Sequence, residues 1–319
     1  MMKIVILERG SFGHDIPLDG LQKLGDVTVY ENANQNEVPA LTKDADIILV
    51  NKLLMNESSL KNATNLKLIC EIATGYNNID LDYCKSRGIT VTNVRNYSTP
   101  SVAQHTFALL LSVYERLSYY DQFVKDGTYS KTASFSHIGK GFHELAGKTY
   151  GIIGLGNIGR KVAQIASAFD CNVIYYSASD QTYDVPYQKV DFDTLLTQSD
   201  ILSIHCPLTD KTHHLLTYNC FQKMKRDSVV INVGRGPIIC ENDLAKALNE
   251  GLIAGAGLDV FEKEPIDADN PLLQVQNNHN LVMVPHIGWG SVEARTRLIK
   301  DVEESIIAFQ NKTPRSVVI

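Results

Sequence analysis

Tyr150-Gly151-Ile152-Ile153-Gly154-Leu155-Gly156-Asn157-Ile158-Gly159-Arg160 places a GxGxxG turn directly after an apolar, strand-like run and before a helix-compatible stretch that reaches Phe169. In that context each glycine has a task. Gly154 permits the tight turn, Gly156 lets a pyrophosphate approach the backbone, and Gly159 lets helix and strand pack closely; the helix amino terminus adds N–H groups and a positive dipole end. The turn therefore predicts a dinucleotide site. About 20 positions further on, the next strand should end in an acidic residue that holds the ribose 2′-hydroxyl of NAD. Ser177 stands there, in Tyr175-Tyr176-Ser177-Ala178-Ser179-Asp180. Without a carboxylate the site no longer repels a 2′-phosphate, and Ser177 and Ser179 can donate to one. No Lys or Arg lies between Ser177 and Asp184 to neutralise it. NAD and NADP are both compatible with this strand end.

Working outward, apolar runs recur on both sides of the turn. Before it lie Ile4–Leu7, Val27–Tyr30, Ile47–Val50, Leu68–Ile72 and Thr90–Asn93, alternating with amphipathic stretches. With the turn come Thr149–Ile153, Asn172–Tyr176, Ile201–His205, Ser228–Val233, Ala254–Asp259 and Leu281–Val284. Such alternation predicts α/β architecture with parallel sheets, and six strands suit a doubly wound nucleotide-binding domain. A helix is expected from about 101 to 125, opened by Ser98-Thr99-Pro100, and an irregular surface connector from 126 to 141. The last stretch, from 291 to about 311, is helical in period with no strand after it. It is expected to return to the first domain and make that domain discontinuous.

At 319 residues the chain exceeds the size at which one core stops growing, so two domains are expected. With 44% hydrophobic and 21% charged residues it is neither disordered nor membrane-like. The most apolar stretch, Phe107 to Val113, is bracketed by Gln104, His105, Glu115 and Arg116 and falls short of the ~20 residues a bilayer requires, so it reads as a buried helix. Net charge is −6 with no block of Lys or Arg, which argues against nucleic acid as a partner. The apolar start meets Glu8-Arg9-Gly10 too early for a secretory signal and reads as a first strand. Six widely spaced cysteines, with no CxxC pair, read as free thiols in a reducing cytoplasm. His213-His214 falls in an expected loop with no carboxylate or cysteine partner in view, and no metal site is expected.

Three polar groups stand at the ends of later strands, where ligands bind in open α/β sheets. Arg235, in Asn232-Val233-Gly234-Arg235-Gly236, offers a planar fork for a carboxylate or polarised carbonyl. Glu264 closes the acidic run Asp259-Val260-Phe261-Glu262-Lys263-Glu264-Pro265, and His286 follows a proline in Val284-Pro285-His286-Ile287-Gly288-Trp289. A histidine exchanges protons near neutral pH, and a neighbouring carboxylate orients it. Singly, each has an ordinary explanation as surface cation, exposed acid or core histidine. Together they point to a catalytic set of Arg235, Glu264 and His286 for keto acid reduction.

These blocks, with Ala73-Thr74-Gly75-Tyr76-Asn77-Asn78-Ile79-Asp80, Ser101-Val102-Ala103-Gln104-His105-Thr106 and His205-Cys206-Pro207-Leu208-Thr209, occur in an order that resembles the D-isomer-specific 2-hydroxyacid dehydrogenase family over nearly the whole chain. The resemblance implies two Rossmann-like doubly wound domains: a substrate domain of residues 1–99 and 290–319, and an inserted dinucleotide-binding domain of 100–289. It implies a homodimer acting on a small 2-keto or D-2-hydroxy acid with NAD or NADP. Arg235 would bind the substrate carboxylate and carbonyl, and His286, paired with Glu264, would donate the proton. Lys52, Thr74, Gly75 and Trp289 would also contact substrate, although Trp289 serves equally well as interface packing. Leu155 to Ile158 would cradle the pyrophosphate, Cys206, Pro207 and Thr212 would line the adenosine side, and Val102 and Thr106 would face the nicotinamide with Asp259 near its carboxamide. His205, Val233, Gly234 and Gly288 complete the implied cofactor set. Asn51-Lys52, the Ala-Thr-Gly-Tyr-Asn-Asn run and Trp289 resemble the glycerate dehydrogenase or hydroxypyruvate reductase branch. Alternatives are a D-lactate or aromatic 2-hydroxyacid dehydrogenase, or a dinucleotide-sensing protein of the same fold.

Overall fold

The computed structural model describes residues 1–139, 141–276 and 278–319. The chain divides into two compact units, Met1–Ser98 with Trp289–Ile319, and Thr99–Gly288. Relative to the expected limits, Thr99 falls in the second unit and Trp289 in the first.

In the first unit, β1 (Lys3–Ile6), β2 (Asp26–Val29), β3 (Ile47–Val50), β4 (Leu68–Glu71) and β5 (Thr90–Asn93) form a parallel sheet in the order β2-β1-β3-β4-β5. All four residues of β3 and of β4 are buried, as near-continuous apolar runs require when helices cover both faces. The helices α1 (Asp19–Leu24), α2 (Val38–Leu41), α3 (Glu57–Leu60) and α4 (Leu81–Ser86) connect them. The C-terminal helix, Val292–Gln310, is capped by Ser291 and buries Ala294, Leu298, Val302 and Ile306 in the core that holds Ile4, Ile6 and Leu49. Their spacing of four residues puts them on one helix face.

The second unit opens with α5 (Thr99–Tyr114) and α6 (Leu117–Lys125). The single helix expected over 101–125 is thus two, because Arg116 turns left-handed at φ 56° and starts a new axis. Phe107, Leu109, Leu110 and Val113 are buried as read. Tyr119, Tyr120 and Phe123 belong to α6, which buries none of its residues; Phe123 stacks on His137 at 3.9 Å between ring centres.

Then come β6 (Thr149–Ile153), α7 (Asn157–Ala168), β7 (Asn172–Tyr176), β8 (Gln188–Lys189), α8 (Phe192–Gln198), β9 (Ile201–Ile204), α9 (Tyr218–Lys223), β10 (Val229–Asn232), α10 (Glu241–Asn249), β11 (Gly255–Leu258) and β12 (Leu281–Met283). The parallel sheet runs β12-β11-β10-β9-β6-β7-β8. It has seven strands where six were expected. The extra one, β8, is two polar residues long on the edge beside β7, too short to leave a periodic signal. Strand order reverses beside β6, and this switch point is where open sheets leave a crevice for ligands.

All six cysteines are free; Cys220 and Cys240 are half-buried and the others buried. Among the described residues, no helix is long and apolar enough to cross a membrane.

Glu71, at the end of β4, is 0% exposed. Asn78 Nδ2 donates to its Oε2 at 2.9 Å, while Oε1 has no partner among the described residues. Burial pushes this carboxyl from 4.5 up to about 9. The folded chain therefore keeps a proton that the unfolded chain releases, so this contribution to stability is full below about pH 4.5 and is lost progressively as pH rises to about 9. Glu71→Gln is expected to flatten that decline. Urea unfolding midpoints should converge or cross towards alkaline pH, whereas parallel curves for the two proteins would refute the assignment.

Candidate active site

At the switch point, Gly154 has φ +90°, and a Cβ there would lie 2.7 Å from Cys206 N. A Cβ on Gly159 would lie 2.2 Å from Gly154 O. Both positions need glycine for close approach of the chain to itself. At Gly156 a Cβ would meet nothing within 4 Å, and this residue caps α7 without any side-chain hydrogen bond. The first N–H groups of α7 thus border open space beside Leu155, Asn157 and Ile158. That arrangement fits a pyrophosphate.

Ser177, 4% exposed, follows β7 with its Oγ 3.2 Å from Ser179 Oγ. The structure brings a cation to this strand end from outside the stretch read in the sequence: Lys189 Nζ donates to Asp180 O at 2.7 Å and to Thr182 Oγ1 at 3.2 Å. Cys206 is buried beside the turn, and burial pushes its thiol up to about 11. Thr212 Oγ1 donates to Pro207 O at 2.8 Å, so its hydroxyl shapes the loop that carries Pro207. His205 turns its ring inward, with Nε2 2.9 Å from Ser203 Oγ, and burial lowers its pKa to about 3. It is neutral at physiological pH. Val102 and Thr106 lie buried on α5, where Thr106 Oγ1 donates to Val102 O at 2.8 Å.

Arg235, Glu264 and His286 leave the sheet after β10, β11 and β12, three adjacent parallel strands. Asn232, 1% exposed, donates from Nδ2 to Arg235 O and accepts from Gly234 N–H, which shapes the turn carrying the exposed guanidinium. Val233 is buried just before it. Gly236 then presses on the following loop, since a Cβ there would lie 1.8 Å from Phe261 C. Phe261 N–H donates to Glu264 Oε1 at 3.1 Å, and Glu264 Oε2 lies 2.7 Å from His286 Nδ1. These two side chains are 31% and 26% exposed, so the pair is held yet reachable.

His286 adopts a left-handed backbone, φ 54°, which costs a non-glycine residue about 1–2 kcal/mol. Asp259 stabilises it. The Asp259 carboxylate, in a residue 2% exposed, accepts from Ile287 N–H at 2.7 Å and Gly288 N–H at 2.9 Å, and Asp259 O accepts from His286 N–H at 2.8 Å. Gly288 leaves room for this, because a Cβ would lie 2.7 Å from Asp259 Oδ2.

In the first unit, the exposed Lys52 follows β3 at that sheet's own switch point, between β1 and β3. Its loop is tied by Glu8, whose carboxylate accepts from the N–H groups of Asn51 at 2.7 Å and Lys52 at 3.0 Å. Glu8 escaped sequence reading, since nothing local marks an acid that binds amides more than 40 positions away. Thr74 and Gly75 follow β4; Asn93 Nδ2 donates to Thr74 O at 2.7 Å. Trp289 is half-buried and meets Tyr97 edge-on at 6.4 Å.

One reading is corrected outright. His214 does have acidic and thiol neighbours: its Nε2 lies 3.2 Å from Glu262 Oε1, and His214, Cys240 and Glu262 bring ligand atoms within 4.8 Å of one another. Folding assembles them from three separate stretches, which spacing along the chain could not reveal.

A family model, D-isomer specific 2-hydroxyacid dehydrogenase, NAD binding domain, matches residues 107–288. The chain belongs to this family. It is 36% identical over 323 residues to a hydroxypyruvate reductase of Blautia hydrogenotrophica, covering 99% of both chains. It is 41% identical over 273 residues to a glyoxylate reductase of Thermococcus litoralis, covering 83% of this chain and 80% of that one. Among solved structures, it resembles an NADPH-dependent glyoxylate/hydroxypyruvate reductase from Sinorhizobium meliloti in complex with NADP and malonate, with a TM-score of 0.83 and 26% identity over 99% of this chain and 96% of that chain.

The contact between Gly236 and Phe261 links the loops bearing Arg235 and Glu264. Gly236→Ala should force them apart, costing about 1–3 kcal/mol of stability as overpacking does and lowering turnover at temperatures where the variant is still folded. Native thermal stability together with native turnover would show that the close approach is dispensable.

Proposed function

We propose that this chain reversibly transfers hydride between NAD(P)H and C2 of a small 2-keto acid, yielding a D-2-hydroxy acid, with hydroxypyruvate or glyoxylate as substrate. The observation that carries the reading is the 2.7 Å contact between His286 Nδ1 and Glu264 Oε2 at the strand ends. Holding Nδ1 against a carboxylate fixes the imidazole tautomer and leaves Nε2 to exchange a proton with the substrate oxygen. Bound NAD(P)H supplies the hydride. His286 gives the proton to the carbonyl oxygen in reduction and takes it back in oxidation. Arg235, exposed on a turn shaped by Asn232, binds the substrate carboxylate and polarises the carbonyl. Lys52, the Thr74-Gly75 backbone and Trp289 are assigned to substrate by family likeness. The names of the Blautia and Thermococcus relatives favour the small keto acids over lactate or aromatic substrates.

A homodimer is part of the same proposal, favoured by apolar surface in one segment of the second unit, where Phe135 is 92% exposed and Ile138 79%. For the cofactor, Ser177 and Ser179 with Lys189 nearby favour acceptance of a 2′-phosphate, as does the NADPH-dependent relative.

Two experiments test these assignments. With a panel of keto acids and NAD(P)H absorbance as readout, His286→Ala should cut turnover by on the order of 10²-fold or more while cofactor affinity stays near native. A near-native rate in His286→Ala would remove the proton-transfer role, and tight cofactor binding without turnover of any keto acid in the native enzyme would point to a sensor. For the cofactor, Ser177→Asp should lower kcat/KM with NADPH relative to NADH, and Lys189→Ala should raise KM for NADPH alone. Unchanged ratios in both variants would remove these residues as discriminators.

A further inference from the structure

We propose that His214, Cys240 and Glu262 form a binding site for a borderline-soft divalent cation such as Zn²⁺. An imidazole, a thiol and a carboxylate place ligand atoms within 4.8 Å of one another. Ligands of a tetrahedral zinc ion at about 2.0–2.3 Å from the metal stand roughly 3.5 Å apart. Nε2 of His214 and Oε1 of Glu262 already meet that spacing at 3.2 Å, so modest rotation of the Cys240 side chain closes the set. The donor types suit Zn²⁺, whereas Mg²⁺ and Ca²⁺ prefer oxygen alone.

All three side chains are mounted on backbone fixed by other contacts. His214 is left-handed, φ 46°, its N–H donates to Pro237 O at 2.7 Å, and its ring stacks on His213 at 4.1 Å. Cys240 is the N-cap of α10. Glu262 is locked to Glu241 in both directions: its Oε1 accepts from Glu241 N–H at 2.9 Å, and its own N–H donates to Glu241 Oε1 at 2.7 Å. Glu241 Oε2 in turn accepts from Asn270 Nδ2 at 2.6 Å. The cluster opens to solvent on the exposed Glu262 side, which leaves room for water as a fourth ligand. Binding would release the Cys240 thiol proton to solvent, and thiolate and carboxylate together balance the charge of the ion. Pro237 lies two residues after Arg235 and Glu262 two before Glu264, so a bound ion would tie the two loops that carry them.

The test uses the full-length protein, stripped of metal under reducing conditions and titrated with Co²⁺. Thiolate-to-cobalt charge-transfer absorption is the readout, with Zn²⁺ as competitor. The expected result is one equivalent per chain, displaced by Zn²⁺, with the band lost in Cys240→Ser and retained in Cys220→Ser. Serine is a favoured N-cap residue, so the start of α10 is kept at position 240. His214→Asn, which tolerates a left-handed backbone, should weaken Co²⁺ binding, and Zn²⁺ should raise Tm of the native protein but not of Cys240→Ser. Absence of saturable binding at one equivalent, survival of the band in Cys240→Ser, or unchanged affinity in His214→Asn would each overturn the proposal. None of these readouts depends on turnover.

Discussion

The Asp259 carboxylate organises the strand exits that carry Glu264 and His286. It is almost fully buried, and an anion there is stable only if donors surround it. The donors are the consecutive amides of Ile287 and Gly288, while the Asp259 carbonyl takes the amide of His286. Satisfying one buried charge therefore bends three residues around it and holds His286 in a conformation it would otherwise avoid. Its imidazole then meets Glu264 at hydrogen-bonding distance. His105 Nε2, 3.4 Å from Asp259 Oδ1, adds a further polar neighbour from α5.

Sheet order supplies the other half of the arrangement. Because β10, β11 and β12 are adjacent and parallel, their carboxyl ends deliver Arg235, Glu264 and His286 to one edge although more than 50 residues separate the first from the last. Short contacts between the exits then set the detail: Gly236 against Phe261, Phe261 N–H on Glu264, Glu264 on His286. A positioned acid–base pair needs this rigidity more than it needs unusual residues. On the far side of β9 the glycine turn meets Cys206, so this turn and the exits bearing Arg235, Glu264 and His286 share one sheet.

Strands were legible where the residues are mostly apolar and buried together, as in β3, β6 and β9, because burial on both faces imposes such stretches. The glycine turn and Arg235 stood out for a related reason, since they follow the buried strands β6 and β10, whereas Glu264 and His286 follow a glycine-rich and a three-residue strand and stood out by residue type. What escaped was set by contacts between distant stretches. Gln188 and Lys189 pair with β7 without any apolar signature, and Arg116 breaks a helix whose sequence period continues through it. The partners of Asn51 and Lys52, of Asp180 and Thr182, and of His214 were hidden likewise, since Glu8, Lys189 and Glu262 reach them only after folding.

The pairing of His286 with a carboxylate is the core of this account, and Glu264→Gln probes it with the least disturbance. Glutamine keeps the size of the side chain and an acceptor for the Nδ1 proton, and removes only the charge. Single-turnover reduction of hydroxypyruvate by bound NAD(P)H, followed by stopped-flow absorbance, should slow by on the order of 10²-fold, near the lower end of what positioned acid–base catalysis contributes, with cofactor affinity unchanged. A Glu264→Gln enzyme that transfers hydride as fast as the native one would contradict the account.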